Sequence, residues 1–217
     1  MTSPRHDWAI TAAALVLLLA WDLAALDLPA ARAFGTAQGF AWQHHWLTQR
    51  VLHDGGRWLG FMALAAIIIN LWRPWWAGPG KQERWRCLGV TLVCLLALPA
   101  IKQISLSSCP WDLREFGGVA RYVSHWQWGV ADGGPGHCFP SGHATAAFAF
   151  FSGWFMLRGH HPKAARGWLG GVLLMGALFG LAQLARGAHY PSHTLWSAWL
   201  CWVICVAAEQ LISKVRR

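Results

Sequence analysis

Charge is scarce in this chain. Only 12% of its 217 residues are Asp, Glu, Lys or Arg, and just nine are acidic. So few charges cannot cover the surface of a water-soluble domain of this size. There is no internal repeat and no low-complexity tract, which removes solenoids and disordered tails. No cluster of cysteines or carboxylates at ligand spacing stands out, so the sequence offers no metal set, and adjacent His44 and His45 point to different helical faces. Tyrosine is nearly absent, with two residues against seventeen tryptophans.

What is abundant is apolar: 55% of residues are hydrophobic. Six apolar segments are readable, at about 8–26, 57–72, 86–104, 142–158, 166–185 and 194–212. Most approach the ~20 residues that a helix needs to cross a bilayer. The expectation is an all-α polytopic membrane protein of about six transmembrane helices, a single domain over 1–217. Tryptophans near the segment ends fit interfacial anchors. The first segment is followed by Ala31-Arg32-Ala33, which resembles a signal-peptide cleavage site. A weakly basic start and a long apolar run favour a retained helix. Asp22, near its outer end, is either a functional acid or one that reaches the headgroups. Residues 34–56 mix aromatic and polar positions and read as a helix on the membrane surface, with His44, His45 and His53 as surface histidines.

The net charge of +9 is dispersed over short loops. That distribution suits anionic lipid and topology rather than nucleic acid. The N-terminus, loops 73–86 and 158–166 and the C-terminal tail hold eleven basic residues against seven on the other side. The positive-inside rule then places both termini in the cytoplasm. Lys102, His143, Arg186, His189 and His193 all fall on the outer face. Cys87, Cys94, Cys201 and Cys205 lie in apolar helices as small packers. Cys109 and Cys138 share the long outer loop 105–141, the oxidising side of a bacterial envelope, where a bridge between them is expected.

Two helix starts carry chemistry. Cys138-Phe139-Pro140-Ser141-Gly142-His143 enters an apolar helix. Ser141 is a natural N-cap, Gly142 leaves the first amides open, and the helix dipole adds positive charge there. Such an end binds anions. The bland reading is a capped helix with a histidine at the membrane surface. Arg186-Gly187-Ala188-His189-Tyr190-Pro191-Ser192-His193 repeats the Pro-Ser start with a histidine beside it.

The order Lys102-x6-Cys109-Pro110, then Pro140-Ser141-Gly142-His143, then His189 resembles the type 2 phosphatidic acid phosphatase superfamily over residues 102–197. That family includes membrane lipid phosphatases, glucose-6-phosphatase and vanadium haloperoxidases; six spans without added soluble bulk argue against the last. The resemblance implies a metal-independent membrane phosphatase without cofactor. His189 is then the nucleophile, passing through a phosphohistidine, and His143 is the acid for the leaving group. Lys102, Ser141, the Gly142 amide and Arg186 bind phosphate. Three positions depart from the family pattern: Cys109 and Gln183 stand where it has arginines, and His193 where it has the aspartate that orients the nucleophile. Arg186, one turn beyond Gln183, is a candidate replacement for the second arginine, and Arg114 or Arg121 for the first. His193 can orient His189 but brings no negative charge, which Asp112 or Glu115 would otherwise supply.

The implied substrates are lipid phosphates or diphosphates such as undecaprenyl diphosphate, phosphatidylglycerol phosphate or lipid A. They would be processed at the outer face of the inner membrane without an obligate protein partner. A phosphotransferase moving phosphate between lipids is the close alternative. A haem- or metal-binding membrane protein using the eleven histidines is the distant one.

Overall fold

A computed structural model describes residues 4–215. The main helices are α1 (Pro4–Leu23), α2 (Asp27–Arg32), α3 (Gly55–Trp72), α4 (Lys81–Gln103), α5 (Gly142–Phe148), α6 (Phe151–Leu157), α7 (Pro162–Ala185) and α8 (Pro191–Val215). The only strands among the described residues are Gly35–Thr36 and Gly39–Phe40, a minimal antiparallel pair. Among the described residues five helical stretches are long and apolar enough to cross a membrane: Arg5–Leu23, Leu47–Trp72, Lys81–Gln103, Pro162–Ala185 and Pro191–Leu211.

The fourth apolar segment, 142–158, is not one helix. It is split into α5 and α6, seven residues each, with Ala149 and Phe150 between them. A helix break in an apolar setting leaves backbone groups that need other partners. Trp168 of α7 supplies one, its Nε1 donating to the Phe150 carbonyl at 2.7 Å. Gly153 admits that indole: a Cβ there would sit 2.4 Å from the Trp168 ring. The broken pair is the centre of the bundle and is almost wholly buried, with α7 and α8 against it.

Water does not drive helices together inside a bilayer, so close approach through small residues does much of the work. Gly176 of α7 meets the Phe148 ring and Gly180 meets Thr194, each so closely that a Cβ would clash at 2.1 and 2.5 Å. Polar bonds add to this. Trp199 and Trp202 of α8 donate to Thr11 of α1 at 3.0 Å each, and buried Asp7 pairs with Arg158 at 2.7 Å.

Two expectations change. Residues 34–56 do not form one surface helix. The two-stranded turn comes first, and Leu47–Asp54 is a π-helical stretch that runs straight into α3. Thr48 of this stretch is buried, Arg50 stays exposed, and the His53 ring stacks on that of His143 in α5. Asp22 has a structural assignment: its Oδ2 accepts from the Trp126 and Trp196 indoles at 2.9 Å each and lies 3.4 Å from His125 Nε2. It clasps the long loop 105–141 to α1 and α8.

Candidate active site

The loop 105–141 is folded onto the bundle by its own sequence. Asp132 accepts from the Ser108 amide and hydroxyl at 2.5 and 2.8 Å and from Gly134 N at 2.9 Å. Cys109 and Cys138 are joined by a disulfide, S–S 2.06 Å. Cys138 N donates to Ser107 O at 3.0 Å, so the start of the loop carries its end to the mouth of α5. The two Pro-Ser helix starts are stitched together: Ser141 N donates to His193 O at 3.2 Å, and Ser197 Oγ donates to Ser141 O at 2.9 Å.

Beside these helix starts lies a half-open cavity of about 450 Å³. Lys102 reaches it from the last turn of α4, Gly142 and His143 from the first turn of α5, and Gln183, Arg186, Ala188 and His189 from the end of α7 and the turn beyond it. Five of the residues singled out in the sequence therefore share one wall system: Lys102, Gly142, His143, Arg186 and His189. A Cβ added at Gly142 would meet nothing within 4 Å, so the glycine leaves open space on the cavity side.

His189 is 5% exposed. Its Nδ1 lies 3.5 Å from Cys138 Sγ, and a disulfide sulfur has no proton to give, so Nδ1–H is the donor. That leaves Nε2 with the lone pair. Burial, reinforced by Lys102 and His143, holds the ring well below the usual imidazole range. His189 is therefore neutral at neutral pH, the state a nucleophile needs. His143 Nε2 donates to Leu52 O at 3.2 Å, and its ring stacks on His53 with centroids 4.5 Å apart. Arg186 Nε donates to Gln43 O at 3.1 Å, and its guanidinium carbon lies 6.0 Å from the Trp111 ring centre. Gln183 is 2% exposed, and its Nε2, buried, has no hydrogen-bond partner.

Six sequence candidates do not line the cavity. Ser141 is the N-cap, accepting from Ala144 N at 3.4 Å, and is fully buried behind the cavity wall. Arg114 sits in a turn closed by the Leu113–Ala120 bridge and donates to Val119 O at 3.0 Å, which turns it away. Arg121 is held at Ala131 O, Glu115 at Arg32, and Asp112 at the Cys109 amide. His193 is 1% exposed, and its Nδ1 donates to Cys138 O at 3.1 Å. The ring centres of His189 and His193 are 5.8 Å apart, and Cys138 is the partner both rings share.

The cavity also contains residues that motif reading missed. His53 and Arg57 enter from the π-helical stretch and the first turn of α3. Arg57 brings a guanidinium to a site from which the first motif's arginine is missing. The signal for both was weak: one polar face on a segment outside the matched motifs.

An almost wholly apolar groove of about 320 Å³ adjoins the cavity, lined by Leu59, Ala63, Gly171, Val172, Met175 and Phe179. Gly60, Ala146 and Phe150 line both spaces. A second polar cluster lies outside the cavity, where Asp27, His125 and His193 converge. Their positions in the chain gave no hint of it.

No curated protein and no solved structure matches the chain. The family model of the PAP2 superfamily matches residues 83–217, a span that contains Lys102, His143, Arg186 and His189 but not His53 or Arg57. The chain therefore belongs to the PAP2 superfamily, the type 2 phosphatidic acid phosphatases.

Proposed function

We propose that the protein is an integral membrane phosphatase acting on a phosphate or diphosphate joined to a long apolar tail. One observation carries this reading: a cavity lined by three histidines, a lysine and two arginines shares a wall with an apolar groove.

Lys102, Arg57 and Arg186 neutralise the phosphoryl oxygens, and Gln183 Nε2 and the Gly142 amide donate to them. Such preorganised donors stabilise a transition state whose charge is spread over equatorial oxygens. His189 Nε2 attacks phosphorus, forming the N–P bond as the P–O bond to the lipid breaks. His143, drawn into its imidazolium form by the negative charge of the bound phosphate, gives its Nδ1 proton to the departing oxygen. A water then attacks the phosphohistidine, losing a proton to His143, and releases inorganic phosphate with His189 restored. Cys138 orients His189 through Nδ1, the task that an aspartate performs in the family pattern. An acceptor lipid in place of water would make the same site a phosphotransferase. The protein is a multi-pass protein of the inner membrane with both termini in the cytoplasm and the cavity at the outer face, a topology supported by the distribution of basic residues.

The test is phosphate release from a panel of purified lipid mono- and diphosphates, with and without acceptor lipid, by the protein in nanodiscs. Turnover of at least one substrate is expected, lost in His189→Ala and His143→Ala proteins that still insert and fold. Near wild-type turnover by either variant overturns its role.

A further inference from the structure

Asp27 of α2, His125 of the outer loop and His193 of α8 each offer a ligand atom, and the three atoms lie within 4.8 Å of one another. None of the three lines the phosphate cavity. Because His193 Nδ1–H donates to the Cys138 carbonyl at 3.1 Å, its tautomer is set and Nε2 carries the lone pair. A ligating imidazole is held in this way, its second nitrogen donating to a backbone carbonyl. Asp27 is oriented similarly: Oδ1 accepts from Trp21 Nε1 at 2.9 Å and from Ser192 N at 3.0 Å, and Oδ2 from the Ser192 hydroxyl. An ionised carboxylate has about four acceptor positions, so three bonds leave room for one more.

His125 Nε2 is buried without a hydrogen-bond partner, and Asp22 Oδ2 is 3.4 Å away. Asp22 Oδ1 is also buried without one. The cluster thus holds two buried carboxylates and two imidazoles. Among the described residues no lysine or arginine forms an ion pair with Asp22 or Asp27. Two buried carboxylates that no lysine or arginine pairs are costly, and a divalent cation balances both. Imidazole and carboxylate ligands without thiolate suit zinc and its neighbours in the first transition row.

We infer that Asp27, His125 and His193 bind one divalent transition-metal ion of the zinc class, with Asp22 beside the fourth position. The ion staples α2, the outer loop and the start of α8 together behind His189. It is structural, takes no part in phosphoryl transfer, and gives a reason for a histidine at position 193.

The test uses full-length protein from envelope-expressed cells, in nanodiscs. Mass-spectrometric metal analysis should find about one zinc-class ion per chain, falling below about a tenth in His125→Ala and Asp27→Ala. A Lys102→Ala control should keep its ion. X-ray absorption on the wild-type protein decides the matter even where variants misfold. A first shell of nitrogen and oxygen including about two imidazoles is expected. A shell containing sulfur, or wild-type protein that neither carries metal nor takes up cobalt(II), overturns the inference. Both readouts are independent of turnover, so they stand or fall separately from the proposed phosphatase activity.

Discussion

Arg186→Ala should be far more damaging than Gln183→Ala, although the family pattern puts its arginine at position 183. Both side chains line the cavity. Arg186 uses Nε on the Gln43 carbonyl, which leaves the two terminal nitrogens for phosphate. Removing two charge-assisted bonds of about 1.5 kcal/mol each costs about 3 kcal/mol, or roughly 150-fold in kcat/KM. Gln183 offers one neutral donor, the unpartnered Nε2. Its loss should cost about 1.5 kcal/mol, roughly tenfold. Arg186→Lys should fall between them, since a lysine keeps the charge but loses the planar fork. The Gln183→Arg/Arg186→Ala double variant should recover part of the loss by returning a guanidinium one turn back. The assay is steady-state phosphate release at matched surface concentration of one lipid phosphate, with kcat and KM separated. A silent Arg186→Ala beside a dead Gln183→Ala would refute the reasoning and leave Arg57 and Lys102 as the phosphate cations.

The apolar groove supplies a second prediction. A Cβ at Gly171 meets nothing within 4 Å, so Gly171→Leu fills the groove without disturbing packing; kcat/KM for a long-chain lipid phosphate should fall at least tenfold while a short-chain soluble analogue is unaffected, and equal loss on both would contradict a tail site. Non-reduced peptide mapping of envelope-expressed protein should recover Cys109 and Cys138 linked. Closing a separation of 29 residues contributes roughly 3–4 kcal/mol in the chain-entropy model, so Cys109→Ala/Cys138→Ala should melt several degrees lower. For pH, burial first and Lys102 second depress His189 below its unfolded value near 6.5. Activity should therefore persist below pH 6.5, with its acid limb moving up towards that value in Lys102→Gln. The unfolded chain takes up a proton near 6.5 that the folded chain refuses, so stability is highest above that pH and declines below it. His189→Gln should flatten that decline in a thermal-melt series.

The parts of the site that were legible in the sequence are those where one short stretch carries its own meaning. Pro140-Ser141-Gly142-His143 announces both a helix start and a site, and Ser141 does cap α5. The bundle of apolar helices follows directly from hydropathy. What stayed hidden depends on pairing across the chain. His53 stacks on His143 from ninety residues away, at the end of a π-helical stretch, and no local pattern marks that contact. Arg114 looked as suitable as Arg57 by charge alone, but the Leu113–Ala120 bridge fixes its direction and sequence does not reveal such a bridge. Asp27, His125 and His193 come from three elements and acquire meaning only once folded.

The break between α5 and α6 bears on how such chains are counted. Among the described residues five helical stretches are long and apolar enough to cross, because neither seven-residue helix is long enough alone. An odd count puts the two ends of the chain on opposite sides of the bilayer; one more crossing through α5 and α6 puts them on the same side. That crossing also decides the side of α7 and α8, and with it the side from which His189 meets its substrate. Reporter fusions at both ends of the chain read that parity directly, with equal signals for six crossings and opposite signals for five.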